Sequence, residues 1–201
     1  MKKAVLASIK PCHTANILVG LKTLEIRKTV PNIPTPFRVY VYETLNGGKG
    51  AGEVVCEFLC DFFFSIDTEW MIHDELPGMP METWLEWNDA PDEYETKSDI
   101  EKASCLTWKE IERYMGASPQ IFCWHISELK IYGKPKVLSD FTPWCRFLLA
   151  GSECDHGKVA CPYQDFDYNP WPDCSVNVVT CRKRMTKPPQ SWCYVEEVSG
   201  C

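Results

Sequence analysis

The sequence contains no apolar run that approaches the length of a membrane-spanning helix. Its first residues, MKKAVLASIKPC, carry two lysines before an apolar patch that Lys10 and Pro11 interrupt, and this patch is too short for the core of a signal peptide. Internal repeats and low-complexity tracts are also missing, so nothing points to a repeat protein. We therefore expect a soluble, cytoplasmic protein.

The composition is that of a globular protein, with 201 residues, 45% hydrophobic and 24% charged, and the length suggests one domain with room for an insertion. The net charge of −7 is concentrated in one segment. Residues 65–102 carry twelve acidic and two basic side chains, whereas residues 1–64 carry eight basic and five acidic ones and residues 103–201 carry eleven of each. Overall acidity therefore argues only weakly against a nucleic acid as partner.

Alternating hydrophobic residues and turn signals predict an α+β protein of five to six short strands with two short helices. The strands are expected at residues 3–10, 23–28, 37–44, 52–64, 121–133 and 191–196, and the helices at residues 12–20 and 107–116. The second helix has clear end signals, because Thr107 and Glu110 form a capping box and Gly116 follows the last turn. Strands of this kind close most readily into a small β-barrel.

The barrel is expected to comprise residues 1–64, 103–142 and 185–201, with two further segments between these parts. Residues 65–102 form an acidic insertion with three tryptophans, which is either a solvated loop or a docking surface for a basic protein partner. Residues 143–184 form a cysteine-rich, irregular segment.

The short segment GLKTLEIRK, residues 20–28, combines strand-like alternation with a high density of charge. In an extended chain Thr23, Glu25 and Arg27 project to one face, and Leu24 and Ile26 to the other. From the spacing alone, the charged face is either an exposed Glu–Arg pair worth less than about 1 kcal/mol or a site that binds a polar ligand.

Several blocks of the chain, in this order, resemble the ASCH domain of the PUA-like superfamily. The central block is the pattern G-x-K-x-x-E-x-R, which Gly20, Lys22, Glu25 and Arg27 match. The other blocks are SIKP, TPFRVYVYET, GEVVCEF, LTWKEIERYMG, WHISELKIYGKPKVLSDF and KPPQSWCYV, and they are similar to the longer ASCH proteins of phages and Firmicutes. The resemblance covers residues 3–64, residues 105–142 and the last strand, but not the acidic insertion.

The resemblance implies a PUA-like β-barrel with flanking short helices and a cleft beside the first helix. It implies that Ser8, Lys10, Lys22, Glu25 and Arg27 bind RNA or a nucleoside- or nucleotide-like ligand in that cleft. The cations suit a phosphate or a base carbonyl, and the carboxylate suits an exocyclic amine or proton transfer.

Some members of this family are hydrolases, of which one group cleaves the amide of 4-acetylcytidine and another member has been described as a ribonuclease. In the amidohydrolases a lysine activates a threonine nucleophile three residues later, but Glu25 stands three residues after Lys22. Their second carboxylate aligns near Ser104, one helical turn after Glu101. A hydrolase built on this sequence would use Lys22 and Glu25 as general acid and base on water. A binding domain, a hydrolase and an interaction module acting through the acidic insertion are therefore three alternatives.

Aromatic residues favour a nucleobase ligand, because bases stack on aromatic rings in single-stranded RNA recognition. Arg38 and Tyr40 share a predicted strand face, and Trp124 and Trp192 lie in the family-like blocks. For the two tryptophans, packing in the core is the alternative. We expect His125 to be a hydrogen-bonded structural residue.

The twelve cysteines fall into two groups. The sites at Cys12, Cys56, Cys60, Cys105 and Cys123 have apolar neighbours and are predicted to be core positions. In the late segment six residues separate Cys154 from Cys161 and six separate Cys174 from Cys181, so these four are candidate ligands of one structural zinc ion. Alternative ligands are Cys145 and His156, and free cysteines in a packed segment are the competing interpretation. No other cofactor is expected.

Overall fold

The computed structural model describes residues 2–67, 91–94, 96–144, 164–166, 179–181 and 184–198. These residues form a mixed α+β fold. Its strands are β1 (Lys3–Ile9), β2 (Leu24–Arg27), β3 (Phe37–Glu43), β4 (Val54–Cys60), β5 (Phe63–Asp67), β6 (Gln120–His125), β7 (Ser127–Lys136), β8 (Gln164–Phe166), β9 (Val179–Cys181) and β10 (Trp192–Glu196). Its helices are α1 (Pro11–Leu18), α2 (Lys97–Ser104) and α3 (Trp108–Met115), with 3₁₀ turns at Asn46–Gly48, Asp92–Tyr94 and Leu138–Asp140.

The larger sheet has five strands in the order β10-β1-β3-β4-β7. The adjacent strands β1 and β3 run parallel, and every other pair of neighbouring strands in this sheet is antiparallel. Val5 of β1 therefore lies between Tyr194 of β10 and Val39 of β3. This arrangement joins the two ends of the described chain at one sheet edge.

The second sheet has three antiparallel strands in the order β2-β6-β5. Two predicted single strands, at residues 52–64 and 121–133, are each split between the two sheets, so those predictions were wrong. The first is divided at Asp61 and Phe62, and the second at Ile126, beyond which Glu128 has a positive φ of 46°. The first division is hidden in the sequence, because Phe62, Phe63 and Phe64 continue the apolar run of β4 into β5.

The predicted closure into a single barrel was wrong. The described residues form two separate hydrogen-bonded sheets, of five and three strands, and a small two-stranded ladder of β8 and β9. The predicted number of strands was also too low. The α+β class is confirmed. No helix of the described residues is long and apolar enough to span a membrane.

Three apolar clusters fill the fold. One lies between the three-stranded sheet and helices α2 and α3, where Leu24, Ile100 and Ile111 are fully buried. A second lies between the two sheets and includes Trp124. The third covers the opposite face of the five-stranded sheet, where Phe141 packs on Tyr40. Both faces of the five-stranded sheet are thus covered over much of their area.

Helix α3 forms as predicted. The Thr107 side chain accepts a hydrogen bond from the Glu110 backbone N–H, the Glu110 carboxylate accepts one from the Thr107 backbone N–H, and Gly116 ends the helix at a positive φ of 55°. Helix α1 begins with Pro11 and is followed by Gly20 at a φ of 75°.

The ends of the predicted acidic insertion belong to the folded core. Strand β5 continues to Asp67, and helix α2 begins within this segment, at Lys97, with a capping box of its own at Thr96 and Asp99. Tyr94 and Ile100 are buried in the cluster under the three-stranded sheet. Residues 68–90 lie outside the described residues.

Candidate functional site

A cleft with a volume of about 840 Å³ opens where the end of β1, the first turn of α1, strand β2 and helix α3 meet. Gln190 and Ser191, which precede β10, complete its wall. The cleft therefore lies beside the first helix, as the resemblance implied. Five of the nine residues predicted to bind the ligand line it, namely Ser8, Lys10, Lys22, Glu25 and Arg27.

The alternation of β2 explains why the charged side chains reach this cleft. Leu24 and Ile26 point into the cluster beneath α2 and α3, and the intervening Glu25 and Arg27 project to the other face. The predicted division is confirmed for these four residues, whereas Thr23, predicted to share the face of Glu25 and Arg27, precedes β2 and does not line the cleft. All four residues of the strand are nevertheless buried, so Glu25 and Arg27 do not form the exposed ion pair that spacing alone allowed.

Glu25 lies between two cations. Its Oε2 is 3.3 Å from Nζ of Lys22, and its Oε1 is 3.0 Å from Nη2 of Arg27. All three residues are more than nine-tenths buried. The Lys22 ammonium also donates to the Ser104 carbonyl oxygen at 2.7 Å, at the end of α2. Ser104, which aligns near the second carboxylate of the amidohydrolases, thus offers Lys22 a backbone carbonyl and not a side-chain carboxylate. The carboxylate of Glu101 accepts a hydrogen bond from the Trp108 backbone N–H.

Arg27 joins two distant parts of the chain at the cleft wall. Its Nη2 donates to the Ser8 carbonyl at 2.9 Å, and its Nη1 donates to Oγ of Ser191 at 3.2 Å. Ser8 in turn donates from its hydroxyl to the Pro189 carbonyl at 2.6 Å. Among the described residues, Nε of Arg27 has no hydrogen-bond partner. The two Nη atoms of the guanidinium therefore hold the cleft wall together, and its Nε–H is a donor without a partner among the described residues.

The local charges determine the protonation of the cleft. Burial by itself raises the pKa of Glu25, but the positive charges of Lys22 and Arg27 outweigh it and hold that pKa below its usual value. Glu25 is therefore ionised at neutral pH. Burial and the Lys22 ammonium lower the pKa of His13, so its ring is neutral at the same pH and can accept a hydrogen bond or a proton.

Among the cleft residues that the sequence reasoning missed are four titratable ones, namely His13 of α1 and Glu110, Arg113 and Tyr114 of α3. Arg113 is exposed at its mouth, and Tyr114 is partly exposed there; partial burial of the phenol raises the pKa of Tyr114. A signal was available for His13, because it lies three residues after Lys10 on the helix that the resemblance placed beside the cleft. No local signal marks the α3 residues, since only tertiary packing brings that helix to β2.

Arg38 and Tyr40, which were predicted to contact ligand, do not line the cleft. Arg38 donates to Glu57 at 2.9 Å and to Glu197 at 3.0 Å. Tyr40 is fully buried against Phe141, and its hydroxyl accepts from the Val198 backbone N–H at 2.8 Å. The strand face that they share is the one covered by the third apolar cluster, so the structure places them on the opposite side of the sheet from Trp124.

Trp124 and Trp192 also lie outside the cleft lining. Trp124 is fully buried between the sheets, edge-on to Phe37 with ring centroids 5.7 Å apart, so the packing alternative describes its position. Trp192 is half-buried, and its Nε1 donates to Oγ1 of Thr29 at 3.0 Å. His125 is hydrogen-bonded to Asp61 at 2.7 Å, as expected for a structural histidine.

The early cysteines follow the core prediction in part. Three of them, Cys56, Cys60 and Cys123, are buried, but Cys105 is half-buried and Cys12 is exposed at the cleft. Burial raises the pKa of Cys56 to about 12. The prediction for Cys12 was wrong because α1 turns this position away from the sheet.

The proposed zinc ligands fall outside what the structure describes: Cys145, Cys154, His156, Cys161 and Cys174 are not in the described ranges, and of Cys181 only the backbone of β9 is described. Within the described ranges, no group of three or more histidine, cysteine or acidic side chains is arranged to bind a metal ion.

No protein-family model matches the sequence, and no curated protein matches it either. Among solved structures, the chain is similar to the ASCH protein of Zymomonas mobilis, with a TM-score of 0.46 and 13% identity over 67% of this chain and 73% of that one. It is also similar to two point variants of the same protein, each with a TM-score of 0.45 and 14% identity. These matches cover 68% and 67% of this chain, and 77% and 74% of the variants.

Proposed function

We propose that this chain is an ASCH-type domain whose cleft binds a nucleoside- or nucleotide-like unit. The observation that carries the proposal is the ionised Glu25 held between Lys22 and Arg27 on the wall of an open cleft. A volume of about 840 Å³ is in the range of small-molecule sites, which are typically about 300–1,000 Å³.

The surroundings of Glu25 suit the parts of a nucleotide. Its carboxylate can accept hydrogen bonds from an exocyclic amine or a ring N–H, and the exposed Tyr114 ring offers a stacking surface. Four basic side chains and two acidic ones line the cleft, in a protein whose net charge is −7. One of the two acids, Glu110, is engaged by the Thr107 cap. The cleft thus favours an anionic ligand, with Lys10 and Arg113 placed for a phosphate.

Calorimetric titration with the four ribonucleosides and their 5′-monophosphates tests this proposal. We expect the monophosphates to bind more tightly than the nucleosides, and Arg113→Gln to remove most of that difference. Tyr114→Ala should weaken both ligand classes, because each would stack on this ring. The matched control is Lys134→Gln on the exposed strand β7, which should bind as the unaltered protein does. Absence of binding by all eight ligands would contradict the proposal.

Hydrolysis in the same cleft is the second candidate, and the neutral His13 beside the ionised Glu25 favours it. In this function His13 would take a proton from water while Lys22 stabilises the developing negative charge. Incubation with 4-acetylcytidine and with a short RNA, followed by mass spectrometry, should then give products that His13→Asn abolishes without loss of binding. Binding without product would leave the domain as a binding protein.

The acidic segment at residues 65–102 supports a further proposal from its composition, namely a docking surface for a basic protein. Deletion of residues 68–90 should then abolish capture of the partner and leave nucleotide binding by the cleft unchanged. If the deletion variant captured the same partner, this surface would have no role in docking.

A further inference from the structure

A row of aromatic rings and lysine ammonium groups runs from the mouth of the cleft to the outer edge of the five-stranded sheet. We name it the aromatic–lysine strip. Its members, in spatial order, are Tyr114, Lys28, Trp192, Tyr194, Lys3 and Trp144.

The first half of the strip is continuous with the cleft. Tyr114 lines the cleft, and Nζ of Lys28 lies 5.4 Å from the centre of its ring. The next residue, Thr29, accepts the Trp192 indole N–H at 3.0 Å. This contact joins the segment that follows β2 to the start of β10, so the strip passes from one sheet to the other.

The second half follows β10. The rings of Trp192 and Tyr194 lie on the same strand face with centroids 5.2 Å apart. Nζ of Lys3 is 3.6 Å from the Tyr194 ring centre and 5.8 Å from that of Trp144. The backbone fixes this arrangement, because β10 pairs with β1 and the Trp144 N–H donates to the Tyr194 carbonyl at 3.0 Å.

Among the described residues, neither Lys3 nor Lys28 forms an ion pair with a carboxylate. Each contacts the face of an aromatic ring, which leaves its charge available to a further anion. The acidic side chain on this face of β10 is Glu196, which is opposite Lys3 at the far end of the strip. By contrast, Lys130 on the other sheet edge lies 3.8 Å from the Glu57 carboxylate.

We propose that the strip binds a single-stranded polynucleotide, one base of which occupies the cleft. Single strands expose both base faces and a charged backbone, and proteins bind them through aromatic rings alternating with cations. A duplex hides its base faces and could use only the lysines. The inference rests on the proposed function of the cleft and extends it, because a free nucleotide would leave the strip unused.

Fluorescence anisotropy with homopolymeric oligonucleotides of two, four, six and ten residues, as RNA and as DNA, tests the strip. We expect affinity to rise with length up to about six residues and then to level off. Lys3→Gln should leave binding of a nucleoside monophosphate unchanged, since Lys3 is remote from the cleft. It should reduce the slope of log K against log salt concentration for the decamer by about 0.7, the value for one phosphate contact on a single strand.

A second variant, Trp144→Ala, should weaken the decamer at least about five-fold, as expected for the loss of one stacked base. The matched control is again Lys134→Gln, for which no change is expected. Equal affinity for RNA and DNA would indicate that the strip contacts only bases and phosphates. A preference for RNA would indicate further contacts to the 2′-hydroxyl group. Either result supports binding at the strip.

Three results would overturn the inference. A decamer that binds no more tightly than a monophosphate would show that the strip is unused, while the cleft proposal would stand. A duplex that binds as tightly as the single strand would show that the rings do not take part. Length-dependent binding that Lys3→Gln and Trp144→Ala both leave unchanged would place the polynucleotide elsewhere. If decamers bind in a Lys3-dependent way but monophosphates do not, the strip stands and the cleft proposal fails.

Discussion

The carboxylate of Glu25 lies 3.3 Å from the ammonium of Lys22, and both side chains are withdrawn almost completely from solvent. A buried lysine and a buried glutamate each pay a desolvation cost, which is recovered only if both remain charged and hydrogen-bonded. Arg27 and the Ser104 carbonyl provide the additional partners that make this possible. The same group of charges therefore governs both the stability of the cleft and its affinity for ligands.

Glu25→Gln should lower the free energy of unfolding by about 3 kcal/mol, because it leaves two buried cations without their shared carboxylate. Urea denaturation measures the change. Glu128→Gln, an exposed substitution of the same kind, should alter stability by less than about 0.5 kcal/mol. Equal stability of the Glu25 variant and the unaltered protein would mean that the ion pairs contribute no net stabilisation.

Stability should fall as the pH drops from 7.5 to 5.5, and His13 should account for part of the fall. Its pKa in the folded protein is below the ordinary value of 6.5, so below that pH the unfolded chain binds the proton more tightly and unfolding is favoured. Denaturation of the His13→Asn variant at several pH values should show a smaller decrease over this window. An identical decrease in both proteins would contradict the role of His13.

A further fall is expected at lower pH from Glu25. Its folded-state pKa is also depressed, so the stability it confers is complete above about pH 4.5, the ordinary value, and is lost as the pH falls through the folded-state pKa. In Glu25→Gln this acid-dependent part should disappear, although the variant is less stable at neutral pH. If the Glu25→Gln variant lost as much stability below pH 4.5 as the unaltered protein does, the acid-dependent loss would have to come from other carboxylates.

Trp124→Ala should cost about 3–5 kcal/mol, because it removes a large, fully buried ring between the two sheets. Trp124→Phe should cost less, since it keeps much of the ring and removes an indole N–H that has no partner among the described residues. Thermal unfolding measures both variants. The Trp124→Phe variant should bind ligand as the unaltered protein does. A large loss of affinity in this variant, at unchanged stability, would show that Trp124 contacts the ligand.

Tyr40→Phe should lower stability by about 1 kcal/mol, because the Val198 backbone N–H loses its acceptor. Binding of nucleotides and of oligonucleotides should not change, since Tyr40 lies on the sheet face that is covered by Phe141. Calorimetry of the same preparation provides both values. Weaker binding without loss of stability would show that this face contributes to recognition.

Local signals in the sequence were sufficient for several elements. The cap at Thr107 and the stop at Gly116 are fixed by interactions within one helix, so α3 could be predicted to the residue. The alternation in β2 correctly separated Glu25 and Arg27 from Leu24 and Ile26, because strand geometry alone decides which face a side chain takes.

What could not be predicted depends on contacts between distant segments. Tyr40 alternates with apolar residues as an exposed side chain would, and its burial depends on a cluster that includes Phe141 and Val198, more than a hundred residues away. The change of sheet after Cys60 is not apparent from the sequence, because the three phenylalanines at residues 62–64 continue the apolar run beyond it. Likewise, nothing near Arg113 in sequence indicates that α3 borders the cleft.

The pairing of β10 with β1 has a consequence for how the protein is made. Residues 3–7 meet their partners at residues 192–196, and the Arg27 bridge to Ser191 closes only with them. At translation rates of about 5–20 residues per second, the first strand is synthesised roughly 10–40 s before its outer neighbour. During that interval the nascent chain carries an open edge on β1, and a chaperone that covers this edge would prevent it from pairing with neighbouring chains on the same messenger.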